Sequence, residues 1–145
     1  MTQIHASCVA LNGCGVMLRG PSGAGKSDLA LRLIDDGAEL VADDRVELTA
    51  EDERLYAAPP PALAGLLEAR GVGILNMAYR ARAQIVVVVD LIGAGESVER
   101  LPPGQTVTLE GIILPATRLA AFEASATAKV RLAMRIAVGE TALLP

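Results

Sequence analysis

The chain has 145 residues, of which 52% are hydrophobic and 21% charged, with a formal net charge of -4. This length favours a single domain over residues 1–145, and the negative charge argues against a nucleic-acid partner, because binding a phosphate backbone usually needs a basic face. Since no apolar run approaches the roughly 18 residues of a membrane helix and no signal-peptide pattern opens the chain, the sequence predicts a cytoplasmic protein without membrane contact.

The first third of the chain predicts a hairpin, one helix and two further strands. Ser7 to Leu11 and Gly13 to Leu18 are expected to be strands around an Asn-Gly turn. Apolar residues recur at helical spacing from Ser27 to Ile34, and Gly37 follows where a helix would end. Strands are then expected at Glu39 to Ala42 and Arg45 to Leu48. Cys8 and Cys14, with one histidine in the chain, predict reduced thiols and not a metal site.

The rest of the chain predicts shorter elements around one firm strand. Gln84 to Leu91 contains four consecutive valines, which is typical of a central strand buried on both faces. A helix is expected over Ala124 to Val138, with its apolar side formed by Val130, Met134, Ala137 and Val138. The remaining expectations are a short helix at Leu63 to Ala69, a strand or loop at Gly71 to Leu75, and strands at Thr106 to Leu109 and Ile112 to Leu114.

One segment carries a specific chemical signal. The residues Gly20, Pro21, Ser22, Gly23, Ala24, Gly25, Lys26 and Ser27 match the pattern G-x-x-x-x-G-K-[ST] without a mismatch. In such a loop the glycines let backbone N–H groups surround phosphate, the lysine neutralises the β- and γ-phosphates, and the serine hydroxyl ligates Mg²⁺. Because the loop lies between a predicted strand and a predicted helix, the sequence predicts a nucleotide-binding protein.

Phosphoryl transfer also needs a carboxylate for the metal or for the nucleophile, and two places could supply it. Asp90 ends the valine-rich strand, whereas the pair Asp43-Asp44 ends a weaker one. Periodicity favours Asp90, but paired carboxylates can hold a metal with one acid and move a proton with the other. On residue type alone the choice stays open, and His5 and Arg100 are typical of ordinary surface residues.

Several segments together resemble the catalytic domain of HPr kinase/phosphorylase, a bacterial enzyme that phosphorylates a serine of the phosphocarrier HPr. The likeness is carried by His5, by the phosphate loop, by Leu40 to Val46, by Ala58-Pro59 and by Leu66 to Ile74. The resemblance implies an α/β fold with a mixed, partly antiparallel sheet, similar to the nucleotide-binding core of phosphoenolpyruvate carboxykinase. It also implies ATP and Mg²⁺ as cofactors and HPr as the protein partner.

The resemblance assigns roles that residue type left open. Lys26 is implied as the phosphate-binding lysine, Ser27 and Glu68 as Mg²⁺ ligands, and Asp43 with Asp44 as the acids that handle metal and proton. Asp44 is the expected base toward the target serine, which leaves Asp90 structural. The resemblance adds His5, Arg70 and Arg100 to the active site.

The chain also departs from the family pattern. It begins almost at His5, without the N-terminal domain common in the family, and so resembles the short forms of some proteobacteria. A Gly-Arg-Asn segment linked to dephosphorylation has no counterpart in residues 114–129, so the reverse reaction is left open, and the usual C-terminal helix is not recognisable. A homo-oligomer, as a hexamer, is implied by the family. The alternatives are a nucleotide-sensing module without transferase activity and a small-molecule kinase.

Overall fold

The computed structural model describes residues 1–144, which form a mixed β-sheet covered by two α-helices. The helices are α1 (Lys26–Asp35) and α2 (Ala126–Ala137), and a single 3₁₀ turn covers Pro61–Leu63. The strands are β1 (Thr2–His5), β2 (Ser7–Leu11), β3 (Cys14–Arg19), β4 (Glu39–Ala42), β5 (Arg45–Glu51), β6 (Arg54–Ala58), β7 (Leu66–Ala69), β8 (Gly73–Asn76), β9 (Ala83–Leu91), β10 (Gln105–Leu109) and β11 (Ile112–Leu119).

Strand β9 is the central strand of the main sheet, as predicted. The sheet has the order β1-β5-β6-β9-β3-β2-β4, and β11, which pairs with β10, also joins β9. Strand β9 is antiparallel to β6 at its start and parallel to β3 and β11 along the rest of its length. Strands β7 and β8 form a separate two-stranded sheet.

The valine-rich strand contributes to a hydrophobic core on each face of the sheet. Val87, Val89 and Leu91 pack in the cluster that holds the apolar sides of α1 and α2. Ile85 and Val88 belong to the opposite cluster, together with buried residues of β2, β4, β5 and β6. Apolar residues on both faces explain why the run does not alternate with polar residues.

Most of the predicted elements are confirmed, with two corrections. The predicted helix over Leu63 to Ala69 is wrong, because Gly65 has a φ of 77° and the chain then enters β7. Leu67 and Ala69 are buried there while Glu68 between them is exposed, which is the two-residue period of a strand. Val138 was expected on the apolar side of α2 but caps the helix and is 39% exposed.

Neither helix within residues 1–144 is long and apolar enough to cross a membrane.

A close backbone approach between β3 and β9 requires glycine at position 15. A Cβ atom added to Gly15 would lie 2.7 Å from the carbonyl oxygen of Gln84. We expect Gly15→Ala to lower the free energy of unfolding by about 1–3 kcal/mol, because the two strands would have to separate. Urea denaturation measures the change. Gly104→Ala is the matched control, since nothing lies within 4 Å of that added Cβ; equal midpoints for the two variants would contradict the prediction.

Candidate active site

The phosphate loop connects the end of β3 to the start of α1. Gly25 caps the helix in a left-handed conformation with a φ of 98°, and an added Cβ would lie 2.9 Å from both Ala121 Cβ and Phe122 Cζ. Only glycine fits both constraints without strain. The first-turn N–H groups of α1 have no acceptor within the helix, so the loop ends at a site that favours anions.

Lys26 is the first residue of α1 and its side chain folds back over the loop. Its Nζ atom donates hydrogen bonds to the carbonyl oxygens of Gly20, at 2.7 Å, and Pro21, at 3.2 Å. The residue is only 8% exposed. The ammonium group is therefore held against the start of the loop, where it can neutralise phosphate charge.

A kinked antiparallel ladder brings the two aspartates to this loop. Strand β1 pairs with β5, with His5 opposite Arg45, and β2 pairs with β4, with Cys8 opposite Ala42. At the kink, the N–H group of Ala6 donates to the carbonyl oxygen of Asp44 at 3.2 Å. His5 and Ser7, on either side of Ala6, consequently face the acidic pair.

Asp43 accepts two hydrogen bonds on one oxygen atom. The Ser7 hydroxyl donates to Oδ1 at 2.6 Å, and the Ser27 hydroxyl of the phosphate loop donates to the same atom at 2.8 Å. Asp43 is 7% exposed and Ser7 is fully buried. Because the Ser27 proton is directed to Asp43, the lone pairs of the Ser27 oxygen can face a metal ion.

Asp44 points in a different direction from its neighbour. Its φ of 69° places it in the left-handed region, which aspartate tolerates better than most residues. Its Oδ1 atom lies 2.9 Å from Nε2 of His5, and the Asp44 side chain is 64% exposed. The pair therefore presents one buried carboxylate that orders the loop and one accessible carboxylate.

A cleft of about 400 Å³ brings most of the predicted site residues together. Its lining includes His5, Asp44, Glu68 and Arg70, together with the loop residues Ser22, Gly23, Gly25, Lys26 and Ser27. Glu68 lies on β7 and Arg70 directly follows that strand. Asp43 is held behind Ser27 and does not line the cleft. Arg100 lies on the exposed segment between β9 and β10, outside the cleft lining, and its role in the site stays a prediction.

Asp90 takes part in an ion pair away from this cleft. Its two carboxylate oxygens accept hydrogen bonds from Arg19 Nε at 2.8 Å and Arg19 NH2 at 3.1 Å. The two residues are opposite each other in the parallel pairing of β3 with β9. The bidentate pair ties the ends of the two strands together and supports a structural role for Asp90.

The oxygen atoms around the loop fit a magnesium ion held with a nucleotide. Within residues 1–144 no three histidine, cysteine or acidic residues are close enough to bind a metal by themselves. Magnesium in phosphoryl-transfer sites usually takes one or two protein ligands and completes its shell with phosphate and water. Ser27 and Glu68 line the same cleft, and their roles as the protein ligands of such an ion stay predictions.

Sequence reasoning missed two residues. Ser7 lies in an otherwise apolar strand, and only the position of that strand beside β4 links it to Asp43. A lone serine in a fully buried strand was the available signal. Phe122 lies beside Gly25 and lines the cleft, but it is far from the loop in sequence and no local pattern marks it.

Comparison with known proteins identifies the family. The family described as "HPr Serine kinase C-terminal domain" matches residues 1–130. The chain belongs to this HPr kinase family. Similar proteins named HPr kinase/phosphorylase include those of Streptococcus equi subsp. zooepidemicus and Streptococcus pyogenes serotype M1, each 37% identical over 129 aligned residues. Each alignment covers 81% of this chain and 42% of the relative, so this chain spans less than half the length of those proteins.

A solved structure shares the fold of this chain. The Hpr(Ser) kinase/phosphatase from Coxiella burnetii superposes with a TM-score of 0.83, covering 97% of this chain and 98% of that chain at 23% identity. The predicted mixed α/β fold is thereby confirmed.

The thiol of Cys8, which follows Ser7, is not suited to act as a nucleophile at neutral pH. Burial raises the pKa of Cys8 to about 12 from an ordinary value of 9.0, because a thiolate would lose its hydration. The native thiol is therefore protonated at neutral pH. In the unfolded chain it ionises near pH 9, so this group lowers the stability of the folded chain as pH rises from about 9 to 12.

We expect Cys8 to resist thiol reagents in the native chain. At pH 8 an aromatic disulfide reagent should modify Cys8 only after denaturant is added, since thiolate is the reactive form and the residue is buried. A Cys14→Ser background isolates the signal of Cys8. Native-state labelling of Cys8 at the rate of a free thiol would contradict the burial argument.

Loss of the Ser7 hydroxyl should weaken the fold around Asp43. We expect Ser7→Ala to lower the free energy of unfolding by about 1–3 kcal/mol, because Asp43 keeps a buried carboxylate with one donor fewer. Chemical denaturation gives the value. Ser125→Ala removes an exposed serine without a side-chain capping bond and serves as control. Equal stability of the two variants would contradict this role of Ser7.

Proposed function

We propose that this chain is the catalytic domain of a kinase that transfers the γ-phosphoryl group of ATP to a serine of the phosphocarrier HPr. The observation that carries the proposal is the shared cleft of the phosphate loop and the accessible Asp44 carboxylate. Membership in the family and the names of the streptococcal relatives support HPr as the target. A cytoplasmic location and a hexameric assembly are predictions that follow from the family.

The roles of the two aspartates follow from their different surroundings. Asp44 is accessible, and its Oδ1 atom lies 2.9 Å from His5 Nε2. It is therefore suited to accept the proton of the target serine as the serine oxygen attacks the γ-phosphorus. His5 holds the carboxylate in position. Asp43 is buried against Ser7 and Ser27 and is suited to orient the loop, not to meet the incoming protein.

Positive charge and backbone dipoles would stabilise the transferred group. Lys26 is held at the loop, the N-terminus of α1 adds partial positive charge, and Arg70 lines the same cleft. Ser27 and Glu68 would hold Mg²⁺, which supplies charge neutralisation between the β- and γ-phosphates. The products are ADP and phosphoserine, with the serine proton on Asp44. In the reverse direction Asp44 would return that proton to the serine oxygen.

Substitution of Asp44 tests the proposal. With Mg²⁺, γ-labelled ATP and purified HPr, we expect Asp44→Asn to reduce serine labelling by about 10²- to 10⁴-fold, because the amide cannot accept the proton. Nucleotide binding should be retained, since Asp44 does not contact the loop lysine. Labelling at the normal rate in Asp44→Asn would show that another group is the base.

The matched control is Asp52→Asn. Asp52 is also an exposed aspartate with positive φ, 51°, but it lies in the turn between β5 and β6. The Asp52→Asn variant should label HPr at the wild-type rate. A wild-type chain that binds ATP tightly without labelling HPr would instead indicate a nucleotide-sensing module, and labelling of small metabolites alone would indicate a small-molecule kinase.

A further inference from the structure

A second cavity lies against the phosphate loop, on the side of the β11 to α2 connection. It has a volume of about 390 Å³, within the range of small-molecule sites. Its mainly apolar lining includes Gly23, Ala24, Ile92, Ala120, Ala121 and Phe122. Gly23 and Phe122 also line the cleft that holds Lys26 and Ser27. The two spaces therefore adjoin at one loop residue and one aromatic ring.

Phe122 is an exposed ring on a fixed backbone. It is the only phenylalanine in the sequence, and it is 70% exposed. The preceding residue, Ala121, is 2% exposed, and its carbonyl oxygen accepts a hydrogen bond from Arg32 of α1. The Cζ atom of the ring lies beside Gly25, where even a Cβ atom would come within 2.9 Å. The ring thus lies at the edge of the phosphate loop and directly follows the buried residue Ala121.

The charged residues of this cavity already have partners. Glu96 accepts hydrogen bonds from the Gly93 N–H group and from Arg118, and Glu123 accepts one from Lys129. Most of the surface that lines the cavity is apolar, and it includes one aromatic ring. Such a lining suits the flat face of a heterocyclic base and not another phosphate group.

We propose that this second cavity binds the base and ribose of the nucleotide, with the base in contact with the Phe122 ring. The inference rests on the proposed function, in which the phosphates occupy the adjoining loop. A nucleotide whose phosphates are held between Gly23 and Ser27 passes Gly25 and Phe122 as it leaves the cleft toward the cavity. Phe122 is then a residue for nucleoside affinity and has no part in holding phosphate.

Comparing ATP with inorganic tripolyphosphate separates the two halves of the ligand. By calorimetry in Mg²⁺, we expect Phe122→Ala to weaken ATP binding about 5- to 100-fold, as expected when a base loses an aromatic partner. Tripolyphosphate lacks the base, so its affinity should change by less than about 2-fold. Lys26→Ala should weaken both ligands. Phe122→Trp should keep ATP affinity within about 3-fold of wild type, because a ring remains.

Ile113→Ala is the matched control. Ile113 is also 70% exposed but lies on β11, outside both cavities, so the variant should bind ATP as wild type does. Unchanged ATP affinity in Phe122→Ala, or an equal loss for ATP and tripolyphosphate, would overturn the assignment of the cavity. If the wild-type chain bound neither ATP nor tripolyphosphate, the proposed function would fail as well. That outcome differs from failure of the cavity assignment alone, in which the wild-type chain still binds ATP.

Discussion

The Oδ1 atom of Asp43 accepts hydrogen bonds from two serines that belong to different parts of the fold. Ser7 comes from a buried strand of the sheet, and Ser27 comes from the phosphate loop at the start of α1. A buried carboxylate is costly unless it is hydrogen-bonded, so the two donors and the acceptor depend on one another. Through this atom the position of the loop is coupled to the kinked ladder that also places Asp44 and His5 in the cleft.

The features that could be predicted from the sequence are those whose residues are contiguous in the chain. The phosphate loop places its glycines, lysine and serine within eight residues, and in the structure they form a loop that continues into the first turn of α1. The strand of four valines was equally readable, because burial on both faces leaves an unbroken apolar run. Residue type could not choose between Asp90 and Asp43 with Asp44. The surroundings of the two places differ in the fold: strand pairing puts Arg19 opposite Asp90, whereas Ser7 of β2 and Ser27 of α1 both donate to Asp43.

The errors have the same origin. Leu-Leu-Glu-Ala has good helix propensity, yet Gly65 and the pairing of β7 with β8 make it a strand, since tertiary context overrides a weak local preference. Glu68 lies on that strand, so the element that positions one predicted metal ligand was also predicted incorrectly. Ser7 and Phe122 were not predicted as site residues, because the residues that contact each of them are distant in the sequence.

The kinked ladder also limits which changes in chain length this family fold can accept. His5 and Ser7 alternate with Ala6 along one edge, opposite the acidic pair, so inserting or deleting one residue there would exchange inward- and outward-facing side chains. The exposed segment between β9 and β10 has no such register to keep. Length variation among related chains is therefore expected to accumulate in that segment, while the spacing from His5 to Ser7 stays constant.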